Sequence, residues 1–202
     1  MFVAPTRDRR AERRESTRAE ILEAAWELTR ANGLAGLSLR DVAASIGMRP
    51  PSLYWYFNSK HAIYDAMFAQ GAQEFLERER AMHTTGDALR DLQAGSRMFV
   101  GFSTEDPVRH QLLFQRTIPD FEPSPESYAL AVQVFEQMRA RLAAAGLGDA
   151  AHFDMWTALV GGLSAQQTTN DPGGDRWVRL IDEMVDMYAD HVLGRPTQRR
   201  QR

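Results

Sequence analysis

The 202-residue chain contains no cysteine. Disulfides, thiolate metal sites and cysteine nucleophiles are therefore excluded. The chain also has no run of about 18 apolar residues, so no transmembrane helix is expected. Its first residues, MFVAPTRDRRAERRES, lack the apolar stretch of a secretory signal. We therefore expect a cytoplasmic protein that makes no contact with a membrane.

The sequence signatures of catalysis are missing as well. The five histidines do not have metal-ligand spacing, and HExxH does not occur. No GxSxG motif and no phosphate-binding loop are present. Glu105 and Asp106 stand directly before Pro107, which is typical of a helix cap and not of paired catalytic carboxylates. We expect a protein that is not an enzyme and that has no cofactor and no metal.

No stretch shows the alternation of apolar and polar residues that is typical of a strand. Ile21, Ala25 and Leu28 recur instead with the period of an amphipathic helix, and similar patterns follow along the chain. The sequence therefore predicts an all-α protein of about nine helices. Their expected positions are 15–31, 38–47, 50–57, 59–75, 89–102, 106–114, 125–145, 149–169 and 172–193.

The charges are divided unevenly along the chain. Residues 1–60 hold ten Lys and Arg against seven Asp and Glu, and Lys60 is the only lysine of the protein. Residues 61–202 hold 14 Lys and Arg against 20 Asp and Glu. A basic head on an acidic body indicates that only the head binds a polyanion. On charge alone, a solubilising charged tail explains the asymmetry equally well.

Residues 38–57 have the spacing of a helix-turn-helix. Ala43 provides a small residue where two helices cross, Gly47 can adopt the positive φ of the turn, and Leu53 returns to the crossing. Leu53 and Phe57 would face inward, which leaves arginine, proline, hydroxyl and aromatic side chains on the outer face. Such side chains suit the phosphates and base edges of duplex DNA. An ordinary corner between two helices is the alternative at this point.

The stretch GLAGLSLRDVAASIGMRPPSLYWYFNSKHAIYDA resembles the N-terminal domain of TetR-type transcriptional regulators. The similarity covers about residues 15–70 with the spacing of the motif intact. It implies a homodimeric repressor that binds a palindromic DNA operator and is released by a small, mainly apolar effector in a C-terminal helical domain. The matching positions are Gly33, Ser38, Arg40, Val42, Ala43, Gly47, Ser52, Leu53, Tyr54, Tyr56, Phe57 and Lys60.

The resemblance also implies which residues contact DNA. Arg49 stands where many relatives have serine or threonine, so a usual N-cap is replaced by a candidate reader of bases. The DNA-binding residues predicted in this way are Ser38, Arg40, Arg49, Pro50, Pro51, Ser52, Tyr54, Trp55, Tyr56 and Lys60.

We divide the chain into a disordered basic arm (1–14), a helix-turn-helix domain (15–60), a helical domain for ligand binding and dimerisation (61–195) and a disordered tail (196–202). The arginines of the arm either follow the DNA backbone and minor groove or belong to a charged tail without DNA contact. The arginines of the arm, together with Arg18 at the start of the first helix, are Arg7, Arg9, Arg10, Arg13, Arg14 and Arg18.

The middle helices of the body are rich in aromatic residues and methionine, which can line an adaptable apolar cavity. Ordinary core packing is the alternative for each of them. An all-helical carrier or interaction protein without specific DNA binding is the alternative for the whole chain. The predicted ligand-binding residues are Met98, Phe99, Phe102, His110, Leu113, Phe114, Phe135, Met138 and Trp156.

The last two long helices are expected to form a four-helix bundle with a second copy of the chain. Small residues in the first of them favour a close approach of two helices, which would offset the cost of glycine in a helix. The alternative is that the same apolar stripes form the core of a single chain. The predicted interface residues are Phe153, Val160, Gly161, Gly162, Ala165, Trp177, Ile181, Met184 and Tyr188.

Overall fold

In the computed structural model, residues 9–194 are described, and they form α-helices joined by turns without any strand. The predicted all-α class is confirmed. None of the helices in this range is both long and apolar enough to cross a bilayer. The helices are α1 (Arg9–Asn32), α2 (Leu39–Ser45), α3 (Pro50–Leu53), α4 (Lys60–Arg80), α5 (Ala88–Glu105), α6 (Pro107–Phe114), α7 (Pro125–Ala144), α8 (Ala150–Asn170) and α9 (Ile181–Val192), with short 3₁₀ turns at Leu34–Gly36 and Val178–Leu180.

Two hydrophobic clusters organise these helices. The head cluster joins α1, α2, α3 and the first half of α4 and also contains Leu112 of α6 and Ala131 of α7. Its members Ile21, Leu53 and Ile63 are completely buried. The body cluster joins the second half of α4 with α5, α7, α8 and α9. Because α4 contributes to both clusters, the predicted domain boundary at residues 60 and 61 falls at the first turn of a helix shared by both parts.

Two polar contacts add to the connection between head and body. The guanidinium of Arg30, near the end of α1, donates a 2.9 Å hydrogen bond from Nε to Oδ2 of Asp106, and its Nη2 forms an ion pair with the same oxygen at 2.9 Å. Asp106 is also the N-cap of α6, where its side chain accepts a bond from the amide of Arg109. In a second contact, Asp65 of α4 accepts bonds from the amide and hydroxyl of Ser124, the N-cap of α7. The cap expected at Asp106 is therefore present.

The first helix differs from the expected one at its start. α1 begins at Arg9, so residues 9–14 of the predicted disordered arm are helical, while residues 1–8, with Arg7, lie outside the described part. The sequence of these turns explains the difference, because arginine, glutamate and alanine are good helix formers. Glu12 in the first turn also complements the helix dipole. The predicted disordered tail at 196–202 lies outside the described residues.

The last helix also begins later than predicted, at Ile181 instead of near Pro172. Gly173 has φ +78, a left-handed conformation that ends regular helix. The buried side chain of Gln167 holds this loop: its Nε2 donates to the carbonyl of Gly174, and its Oε1 accepts from the amide of Trp177 at 2.9 Å. The side-chain amide of Gln167 therefore supplies hydrogen-bond partners to backbone groups of the loop that have none within a helix.

Candidate functional site

The helix-turn-helix geometry inferred from spacing is present in the head. Ala43 of α2 and Leu53 of α3 are both fully buried at the crossing. Gly47 has φ +67, and the amide of Met48 returns to the carbonyl of Ala43 at 2.8 Å, which closes the turn. α3 is a single helical turn, and residues 54–56 continue from it as hydrogen-bonded turns, with the amide of Phe57 bonded to the carbonyl of Leu53. The predicted helix 50–57 is thus regular only over its first half.

The outer face of this unit carries most of the predicted DNA-binding residues. Trp55 is 84% exposed and Tyr54 is 53% exposed, a large apolar area for a surface position. Arg40 and Arg49 are exposed and form no ion pair with any described residue. Pro50, Pro51 and Ser52 are exposed on the same turn of helix. The face therefore combines uncompensated positive charge with ring and hydroxyl groups.

Tyr56 and Lys60, which were also predicted to contact DNA, have hydrogen-bond partners within the chain, and Arg18 of α1 is one of those partners. Tyr56 is only half-exposed, and its carbonyl accepts a 2.9 Å bond from Nη1 of Arg18, whose guanidinium lies 4.3 Å above the ring of Phe57. Lys60 Nζ donates to the carbonyl of Ala35 at 2.9 Å. Arg18 thus connects α1 to the end of the α3 segment, a role that sequence analysis did not predict because nothing local indicates the pairing.

Ser38, predicted to contact DNA, occupies the N-cap position of α2, but its hydroxyl makes no capping hydrogen bond. The hydroxyl is therefore left available. The side chain that stabilises this loop is Tyr64 of α4, whose hydroxyl donates to the carbonyl of Leu34. Burial raises the pKa of Tyr64 to about 12, so the phenol stays protonated and donates this bond at any physiological pH.

In the body, five of the nine predicted ligand-binding residues line one cavity of about 340 Å³ between α5, α6, α7 and α8. We call it the inner cavity. The other half of its wall was not predicted to bind a ligand, and two of those residues, Val160 and Gly161, were predicted at a dimer interface instead. The lining is Phe99, His110, Phe114, Gln115, Phe135, Met138, Thr157, Ala158, Val160 and Gly161.

A second, outer cavity of about 620 Å³ lies between α4, the 115–125 loop and α7. Phe114, Gln115 and Phe135 border both cavities, and Leu113 lines the outer one. Unlike the inner cavity, the outer one has charged side chains in its wall, at Arg116 and Glu122.

Three predicted ligand-binding residues lie elsewhere in the body core. Phe102 is fully buried between the ring of Phe75, 5.0 Å away, and the guanidinium of Arg109, 3.8 Å away. Trp156 packs on the ring of Tyr188 at 5.6 Å. Met98 is half-buried beside the body cluster. The structure gives these residues packing roles, since neighbouring side chains already fill the space around them.

The predicted dimer interface needs correction. Five of its six large apolar members have at most 8% of their surface exposed and pack within the body cluster of their own chain. A side chain that is already buried cannot add contact area with a second copy. Trp177 is half-buried beside the loop that Gln167 holds, and Gly161 lines the inner cavity. Those buried members are Phe153, Val160, Ile181, Met184 and Tyr188.

The outward face of α8 carries other residues than those predicted, apart from Gly162 and Ala165. Met155, Ala158, Gly162 and Ala165 are all exposed and recur at spacings of three, four and three residues. This is the heptad spacing of a helix that packs against another helix. On α9, Met187 is 57% exposed and lies one turn from the exposed Glu183 and His191.

Comparisons with known proteins agree with the geometry of the head. Residues 21–67 match the family model of the bacterial regulatory proteins of the tetR family. The HTH-type transcriptional repressor Rv1353c of Mycobacterium tuberculosis is 25% identical over 159 residues, which cover 79% of this chain and 59% of that protein. The class D tetracycline repressor protein of Escherichia coli is 38% identical over 50 residues, 25% of this chain and 23% of that protein. The chain thus spans about three fifths of the length of the first of these relatives.

Solved structures match a larger part of the chain. A protein of unknown function from Rhodococcus sp. RHA1 superposes with a TM-score of 0.71 at 17% identity, covering 86% of this chain and 94% of that one. The TetR family transcriptional regulator PfmR of Thermus thermophilus has a TM-score of 0.62 at 20% identity, covering 84% of this chain and 96% of that one. At these identities the matches establish the fold of the head and body together. The resemblance recognised in the sequence is confirmed.

Proposed function

We propose that this chain, whose N-terminal domain belongs to the tetR family of bacterial regulatory proteins, is a dimeric transcriptional regulator that binds a DNA operator. The observation that carries the proposal is the outer face of α3 and the turn after it. There Arg49, Tyr54 and Trp55 are exposed around the buried Leu53. A face that combines uncompensated arginine with exposed rings suits a duplex, in which phosphates and base edges alternate.

Within this face the roles are expected to differ. Arg49 immediately precedes α3, and the first residues of a recognition helix point into the major groove, so its guanidinium is placed to read a guanine. Tyr54 and Trp55 follow α3 and lie where a helix of this type meets the phosphate backbone. Lys60, which Ala35 orients through its carbonyl, adds a positive charge at the start of α4.

Two copies of the chain would read two half-sites of a palindrome. The exposed heptad stripe Met155, Ala158, Gly162 and Ala165 on α8 is the surface we propose for the contact between the copies, together with Met187 on α9. Small residues on such a stripe allow two helices to approach closely, and the methionines supply apolar area around them. The copies would pair about a two-fold axis, because the same face is available on each.

A small effector bound in the body would regulate DNA binding. The inner cavity is the proposed site, and α6 connects it to the head: His110 and Phe114 line the cavity, while Asp106 at the start of the same helix holds Arg30 of α1. An effector that fits only one arrangement of α6 would shift the spacing of the two heads, which must reach major grooves about 34–36 Å apart.

The proposal is tested by footprinting the purified protein on the DNA that flanks its own coding region. The protein is titrated at several salt concentrations. We expect one protected site and a steep decrease in affinity with salt, because each phosphate neutralised adds about 0.9 to the slope. The carrier or interaction protein without DNA binding predicts no protected site and a shallow slope, and that result would overturn the proposal.

Two substitutions test the division of roles on the DNA face. Tyr54→Ala should weaken binding to specific and random duplex equally, by about 1 kcal/mol for the loss of one hydrogen bond. Arg49→Ala should cost about 1–3 kcal/mol on the operator, leave binding to random duplex little changed and relax specificity at one position. Equal losses on both duplexes for Arg49→Ala would assign this arginine to the backbone.

A further inference from the structure

The wall of the inner cavity contains no charged side chain. Three phenylalanine rings and the imidazole of His110 are among its ten lining residues, and the ring centroids of Phe99 and Phe114 lie 5.1 Å apart. The remaining polar groups are the amide of Gln115 and the hydroxyl of Thr157, whose proton is already donated to the carbonyl of Asp154 at 2.9 Å. An ion in this cavity would lose its hydration without gaining a counter-charge, which is a large cost.

His110 is the polar group of this wall that lacks a partner. Its Nδ1 is buried and has no hydrogen-bond partner in the structure, and only 8% of the residue is exposed. Burial lowers the pKa of His110, so its imidazole is neutral at neutral pH and has one donor and one acceptor nitrogen. A 180° turn of the ring exchanges nitrogen and carbon positions, so either edge can present a nitrogen to a bound molecule. A hydroxyl group satisfies both tautomers, because it donates as well as accepts.

Gly161 keeps the opposite side of the cavity open. It lies in the middle of α8, where glycine costs about 1 kcal/mol relative to alanine. A Cβ at this position would meet nothing within 4 Å, so no close contact within the chain requires a glycine there. Any longer side chain at 161 would therefore extend into empty space beside the aromatic rings.

From this wall we infer that the inner cavity takes an uncharged aromatic molecule bearing a hydroxyl group, with its ring among Phe99, Phe114 and Phe135 and its hydroxyl bonded to His110. The inference deepens the proposed regulation by an effector and rests on it for biological meaning, although binding can be measured without DNA. The ring stacks edge-to-face or offset against the phenylalanines, and the hydroxyl supplies the missing partner of the imidazole.

The experiment is calorimetry of the full chain with three probes of matched shape: 4-hydroxybiphenyl, biphenyl and biphenyl-4-carboxylate. We expect the phenol to bind most tightly and the carboxylate to bind at least about tenfold more weakly, because its charge finds no partner. His110→Phe, which keeps a ring of similar size, should weaken the phenol about five- to tenfold and leave biphenyl unchanged. Tighter binding of the carboxylate, or equal losses for phenol and biphenyl, would overturn the inference.

Gly161→Leu tests the location. We expect it to abolish binding of the phenol while raising the thermal stability of the protein, since leucine is a better helix former than glycine. Phenol binding retained in this variant would put the probe in the outer cavity and overturn the assignment. Thr169→Leu is the control at an exposed position of the same helix, outside both the cavity lining and the proposed dimer stripe, and it should leave phenol affinity unchanged. A protein that binds the phenol but no DNA would keep the inference about the cavity and refute the proposed regulator.

Discussion

The sequence predicts that two segments each expose one face to a partner: residues 50–57 to DNA, and the long helix α8 to a second copy of the chain. In the structure the predicted face is exposed in the first segment and largely buried in the second. In the first, Leu53 is buried and Tyr54 and Trp55 are exposed, as the spacing indicated. In the second, Phe153 and Val160, expected at a dimer interface, are buried within their own chain. The comparison shows that rings with polar groups on one helical turn remain outside, whereas a stripe of large apolar residues on a long helix is buried first against its own chain.

The largest expected effect comes from truncating Phe153 on α8, which was predicted at a dimer interface but is buried in its own chain. Phe153→Ala should lower the free energy of unfolding by about 3–5 kcal/mol, because it leaves a cavity beside Phe135, whose ring lies 6.1 Å away. Met155→Ala, two residues further on, should change it by less than about 0.5 kcal/mol in the monomer. Urea denaturation at several protein concentrations measures the unfolding free energy of both variants. If the loss of unfolding free energy in Phe153→Ala disappears on dilution, Phe153 belongs to a dimer interface after all.

A matching pair in the head comes next in size. Leu53→Ala should cost about 2–5 kcal/mol of unfolding free energy, because Leu53 fills the crossing of α2 and α3. Trp55→Ala should leave stability within about 0.5 kcal/mol of the parent and still weaken DNA binding. Thermal unfolding and a DNA titration of both variants make the check. If Trp55→Ala destabilises the fold as much as Leu53→Ala, the outward role of the ring is wrong.

The dimer surface proposed on α8 and α9 is tested at Met187. Met187→Glu places a carboxylate on an exposed apolar position near Glu183, so like charges would meet at the axis. We expect the dimer dissociation constant to rise about tenfold or more, since like-charge pairs at an interface cost on the order of kcal/mol. Sedimentation velocity over a concentration series measures this constant. Thr169→Glu, also exposed but at the last turn of α8, is the control for added charge.

The smallest expected effect is a pH dependence at Glu79 in the body core. Burial raises the pKa of this carboxyl, and its ion pair with Arg141, 2.7 Å away, only partly opposes the shift. A carboxyl with a raised pKa contributes stability at low pH that is lost as the pH rises through the raised value. The unfolding free energy of the parent, relative to Glu79→Gln, should therefore fall as the pH rises above the ordinary pKa of a glutamate carboxyl. A rise over that range, seen by denaturation at fixed ionic strength, would mean that the pair with Arg141 dominates.

Much of the head could be predicted from sequence because its constraints are local. Ala43, Gly47 and Leu53 each have one role that their size or backbone freedom allows, and they stand within eleven positions of the chain. The body could be predicted only in its helices and in part of its cavity. Gly161 illustrates the limit: its small size fits a helix contact and a cavity wall equally well, and only the position of α6 and α7 across from it distinguishes the two.

The sequence by itself therefore determined the all-helical class, the helix-turn-helix and its exposed rings, because hydrophobic period and turn residues act over a few neighbouring positions. Tertiary structure alone decided that Arg18 supports the recognition segment, that the large residues of α8 are core, and that His110 and Gly161 face one space. Those outcomes depend on which helix faces of distant segments meet. The hydrophobic effect buries apolar area without specifying the partner, so the partner follows only from the packing of the whole chain.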